Sequence, residues 1–152
     1  MITSQQLLKT AGMLSFGVAL FQIVVTTVPE WARYFGAWEA VASKVWLLYL
    51  TGFFAAEVFA LFGLYALSGA GYIRRLPLVR TGLITIGTVY TLRGLFLVLE
   101  LLINAGVIQG TMIIPTRELI ASSVSLVIGI VYLAGTIGHW YQIPGKRNAA
   151  AT

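Results

Sequence analysis

Residues 45–67 read VWLLYLTGFFAAEVFALFGLYAL, and the fold is decided there. The stretch holds a single charged residue, Glu57. A helix crossing the hydrocarbon core of a bilayer needs about 20 predominantly apolar residues. This run is long enough. Three more stretches behave alike: about Leu7 to Val28, Leu78 to Ile103 and Leu119 to Trp140. The first is longer than the roughly 7–15 apolar residues of a signal peptide and is expected to remain as an uncleaved span. Composition agrees: 59% of the 152 residues are hydrophobic and 10% are charged. Soluble domains carry about a quarter charged residues, so this chain has too little polar surface to cover a globule in water. The expected fold is all-α: an antiparallel bundle of four transmembrane helices with left-handed packing, in one integral membrane domain spanning residues 1–152.

The net charge of +5 comes from ten Lys and Arg against five Glu. No basic run exceeds Arg74-Arg75, so nucleic acid is not an expected partner, whereas anionic lipid head groups are. One side of the membrane would hold Lys9, Arg74, Arg75, Arg80, Lys146 and Arg147. The other would hold Arg33, Lys44 and Arg117, with Glu30, Glu39 and Glu118 nearby. The positive-inside rule makes the richer side cytoplasmic, and an even number of spans puts both termini there, in what is expected to be a bacterial inner membrane.

The connections differ in character. Between the first two spans, Trp31, Tyr34, Phe35 and Trp38 follow Pro29 at helical spacing, which predicts a short helix in the outer interface. Gly36 disfavours it, and the alternative is an aromatic-belt loop with no regular structure. Ser68 to Pro77 is a tight turn in which Gly69 or Gly71 ends the second span. Ala105 to Pro115 stays apolar and is expected to lie on the membrane surface. Thr116 is expected to cap the fourth span, with Glu118 favourable in its first turn.

Helices in lipid associate through small residues and shared polar groups, so these mark the inward faces. The first span aligns Gly12, Ser15, Ala19, Gln22 and Thr26. The second aligns Gly52, Ala56 and Ala60, with Gly63 beyond. The fourth aligns Glu118, Ser122, Ser125, Gly129, Tyr132, Thr136 and His139. The third carries Tyr90, Arg93, Leu97, Glu100 and Asn104 on one face.

Glu57 and Arg93 lie near the midpoints of adjacent antiparallel spans, hence at similar depth. A charged side chain at the bilayer centre costs about 2.5–3.5 kcal/mol on insertion scales. An ion pair between Glu57 and Arg93, supported by Tyr90 or Gln22, is therefore expected to offset that cost. Glu100, two turns nearer the outside, could share Arg93 or pair with Lys44 or Arg117. Gln22, Glu57, Tyr90, Arg93, Glu100 and Asn104 are the candidate ligand-binding residues, either as a structural clamp or as the lining of an outward cavity.

The chain has no Cys and a single His, His139. Disulfides, thiol chemistry, Cys-held zinc, iron–sulfur clusters and a haem held by two His of one chain are thereby excluded. No metal or cofactor is expected, no catalytic residue is nominated, and no nucleophile–base pair is readable. His139 is expected as an interfacial ring beside Trp140 and Tyr141. The leading expectation is a non-enzymatic accessory or self-associating membrane subunit, as a homo-oligomer or within a larger membrane complex. Behind it stands a small transporter or ligand-binding protein using the cavity around Glu57, Arg93 and Glu100, and behind that an enzyme acting on a lipid or quinone.

Overall fold

A computed structural model describes residues 3–35, 41, 43–108 and 114–140. Among these residues there is no strand. Four long helices, α1 (Ser4–Thr27), α3 (Val45–Gly69), α4 (Val79–Asn104) and α5 (Thr116–Gly138), are each long and apolar enough to cross a membrane. A short helix, α2 (Pro29–Tyr34), follows α1.

The helix ends have local causes. α1 begins three residues earlier than the apolar run suggests, because Thr3 and Gln6 form a capping box. The Thr3 hydroxyl accepts the Gln6 N–H at 3.2 Å, and the Gln6 side chain accepts the Thr3 N–H at 2.9 Å. Pro29 opens α2 at the position where its missing N–H costs nothing. Ala32 of α2 is buried against Val25 and Leu48, whereas Trp31, Tyr34 and Phe35 remain exposed. Trp38, expected on the same face, lies outside the described residues. α3 stops at Gly69, and Gly71 takes φ +78 in the turn that follows. Thr116 is not the cap of α5 but its first residue. Pro115 occupies the cap, and polar Thr116, Arg117 and Glu118 form the first turn.

The helices pair as α1 with α3 and α4 with α5, in close antiparallel contact. Glycines set both registers. A Cβ at Gly52 would collide with Thr26, and one at Gly63 with Phe16. Likewise Gly94 faces Leu126, Gly129 faces Thr91, and Gly87 faces Leu133 and Tyr132. The two pairs join mainly in one half of the bundle. There Gly135 meets Leu8, Gly69 meets Leu83, Gly82 meets Tyr65, and the main core gathers Leu8, Ala11, Ala66, Leu83, Ile86, Ile128 and Tyr132. Tyr132 is the joint. Its fully buried hydroxyl donates to the Phe62 carbonyl at 2.8 Å and lies 2.9 Å from the Ser15 hydroxyl, which must then be the donor. Its ring stacks on Tyr90, which in turn meets Phe59 and Phe62, so residues of all four spans share one layer.

Candidate functional site

Beyond the tyrosine layer, toward the end that carries α2, the α4–α5 seam becomes polar. Arg93 is close to the middle of α4, and with Gly94 packed on Leu126 it stands beside the middle of α5. Its guanidinium reaches toward the start of α5. Nη2 donates to Glu118 at 3.1 Å, and Nη1 donates to the Ser122 hydroxyl and lies 3.5 Å from Glu100. Ser122, fully buried, donates to the same Glu100 oxygen at 2.8 Å. Glu118 also approaches Arg117 at 3.9 Å, and the Arg117 guanidinium sits 5.1 Å over the ring of Tyr34, which ties α2 to the start of α5. Two carboxylates thus meet two guanidiniums in a charge-balanced ladder running from mid-membrane to the rim.

The ladder is graded in exposure. The Glu100 side chain is 12% exposed, that of Glu118 is 34% and that of Arg93 is 39%. Glu100 therefore depends most on its neighbours, and one of its oxygens, Oε2, is buried with no hydrogen bond. The arrangement orders α4 against α5 and holds the carboxylates beside cations. Glu118, in the first turn of α5, is further favoured by the helix N-terminus.

The expected Glu57–Arg93 pair does not form. Tyr90 packs on Phe59, so Arg93, one turn further along, stands level with Ala56 and Glu57 on antiparallel α3. The difference lies in direction around the helix. Ala56 is buried, whereas Glu57, about 100° further round, is exposed on the outer surface. Equal depth and a short connecting turn place two helices side by side but do not choose the faces they present. Arg93 turns to α5 because Gly94 and Gly129 let those backbones approach closely, whereas α3 and α4 touch over a narrower area.

The other candidate residues separate. Glu100 joins Arg93, one of the alternatives open to it. Tyr90 is buried in the aromatic layer, its hydroxyl without a hydrogen bond, so it does not support Arg93. Gln22 turns to its own helix, with Nε2 3.5 Å from the Thr26 hydroxyl. Asn104 clamps the ends of the following connection, donating to the Ile114 carbonyl at 3.0 Å and accepting its N–H at 2.9 Å. Glu118 and Ser122, the main partners of Arg93, were legible as inward residues of the fourth span, but a search for a partner at equal depth passes over them. A long arginine side chain spans more than one helical turn.

Glu57 itself lies on the open outer face of α3, beside Trp46, Tyr49, Leu50, Phe53 and Phe54. Among the described residues it has no hydrogen-bond or ion-pair partner. The outer face of α4 around Leu92, Leu95, Phe96 and Leu99 is apolar. The chain matches no protein-family model, no curated protein and no solved structure, so its function has to be argued from this geometry.

Proposed function

We propose that this small integral membrane protein is a non-enzymatic subunit that works by lateral association with other membrane protein, and that the outer face of α3 is its docking face. The observation that carries this reading is Glu57. An isolated carboxylate facing hydrocarbon at mid-span is costly, and such groups are rare unless they meet a partner or a functional site. The ladder around Arg93 supports the same reading from the inside. Its two carboxylates and two guanidiniums balance in charge, so that it serves as a clamp for α4 and α5 and leaves Glu57 as the charge still to be answered. A ligand-binding cavity draws less support, since Gln22, Tyr90 and Asn104 turn to other tasks. The distribution of Lys and Arg favours an orientation with Lys9, Arg74, Arg75 and Arg80 on the cytoplasmic side and Arg33, Lys44 and Arg117 outside.

The test is site-directed photo-crosslinking in native membranes. A photoreactive residue at Leu50, 60% exposed on α3, is expected to give a discrete protein adduct. The same residue at Val127, 56% exposed on α5, is expected to give lipid adducts alone. Lipid adducts from both positions would end the reading.

A further inference from the structure

The docking face, if the reading above holds, has a definite chemistry. We infer that Glu57 accepts a Lys or Arg carried near the middle of a transmembrane helix of a different protein, and that this helix lies along α3.

Three observations converge on that occupant. The first is depth. Glu57 is the thirteenth of the 25 residues of α3, with about 18 Å of helix on either side. The hydrocarbon half-thickness is about 15 Å. A Glu side chain is too short to reach water from there, unlike Lys or Arg near a helix end. Its partner must come to it within the membrane.

The second is shape. The exposed face runs from Trp46 to Glu57, eleven residues or about 16 Å along the helix axis. The exposed stripe of Trp46, Leu50, Phe53, Glu57, Leu61 and Leu64 advances by four, three, four, four and three residues. That is the spacing of a helix-packing seam, with the carboxylate at its centre and apolar contact on both sides. An elongated seam suits the side of another helix better than a compact solute.

The third is charge. Among its described residues a second copy of this chain has no suitable cation to offer. Among the described residues Lys9, Arg33, Lys44, Arg74, Arg75, Arg80 and Arg117 lie in turns or near helix ends, and Arg93 is held by Glu100 and Glu118. Two copies meeting through α3 would bring two acidic side chains together with no cation between them. A basic residue on another protein completes the site without that conflict.

The inference is tested with the full-length chain in phosphatidylcholine vesicles. The chain has no Cys, so Val107→Cys, 70% exposed, provides a unique position for a fluorophore. The probes are labelled single-span Leu/Ala peptides with Lys, Leu or Glu at the centre, and binding is read by energy transfer. The central-Lys peptide is expected to bind about tenfold more tightly than the central-Leu peptide, and the central-Glu peptide no better than central-Leu. Glu57→Gln is expected to abolish the Lys preference while Glu57→Asp retains most of it. Both variants should fold, since Glu57 is exposed and supports no internal contact. Equal binding of the Lys and Leu peptides, or an undiminished Lys preference in Glu57→Gln, would overturn the inference. Energy transfer between two labelled copies that is lost in Glu57→Gln would assign the face to self-association and overturn it too. Its failure is separable from failure of the docking face: crosslinks at Leu50 that survive Glu57→Gln retain the face and remove the ion pair as its basis, whereas absence of crosslinks removes the face.

Discussion

Two mid-membrane charges in this chain have opposite environments, and substitution should tell them apart. Arg93 is enclosed by Glu100, Glu118 and Ser122. Arg93→Ala strands Glu100, which is 12% exposed, beside a second carboxylate. Breaking a fully buried ion pair costs about 3–5 kcal/mol. Because Arg93 and Glu118 are each more than a third or about a third open, the expected loss is roughly 2–3 kcal/mol, seen as a lower melting temperature in mild detergent and less folded protein. Arg93→Lys should fall between, since an ammonium keeps the charge but cannot serve Glu118 and Ser122 with a planar fork. Glu57→Gln should leave the melting temperature of the isolated protein unchanged, and a drop comparable to that of Arg93→Ala would show that the outward placement of Glu57 is wrong. Only part of this was legible in the sequence. Cost at the bilayer centre identifies Arg93 and Glu57 as residues that need explaining, and the inward faces contain Glu118 and Ser122. The choice of partner depends on the azimuth of each helix and on the reach of one side chain, neither of which a single sequence states.

At the scale of the helix, packing is written in glycines. Gly94 has the backbone of Leu126 where a Cβ would go, whereas Gly17 has nothing within 4 Å. Gly94→Ala must push α4 from α5 just where the guanidinium crosses between them, for an expected cost of about 1–3 kcal/mol. Gly17→Ala should be neutral or stabilise slightly, as Ala favours helix over Gly. Thermal unfolding of the two variants compares them, and equal effects would contradict the close α4–α5 approach. The spans themselves were easy to read because lipid leaves no alternative: a backbone in hydrocarbon must satisfy its own hydrogen bonds, so long apolar runs become helices. Their ends were less clear. Apolarity marks where a helix leaves the membrane, but Thr3 with Gln6, and Pro115 before Thr116, start helices in polar residues that no hydropathy window counts. Inward faces were legible where small residues repeat, as in Gly12, Ser15, Ala19 and Thr26, all buried.

For the molecule as a whole, the consequence of this packing is an uneven bundle. Contacts joining the α1–α3 pair to the α4–α5 pair concentrate from the tyrosine layer to the Ser68–Pro77 turn, where the main core lies. Toward the other end each pair holds itself, through Thr26 on Gly52 in one and the charge ladder in the other, and among the described residues Arg117 over Tyr34 links them at the rim. Tyr132 therefore carries more than its share of cohesion, because one hydroxyl connects α5 to Ser15 of α1 and to Phe62 of α3. Its neighbour Tyr90 is a built-in control: it stacks on the same ring at 5.9 Å and is also buried, but its hydroxyl makes no hydrogen bond. Tyr132→Phe should cost about 0.6–1.7 kcal/mol, from the average to the maximum found by double-mutant cycles for hydrogen bonds between membrane helices. Tyr90→Phe should cost nothing or stabilise, since it removes a buried hydroxyl that lacks a partner. Hydrogen exchange should register the same contrast in space. In Tyr132→Phe the amides around Ser15 and Phe62 should lose protection together, because both hang on one oxygen, while those around Arg93 and Ser122 keep theirs. Equal destabilisation by the two substitutions, or loss of protection spread evenly over all four spans, would mean that the pairs are held by general apolar contact and not by this joint.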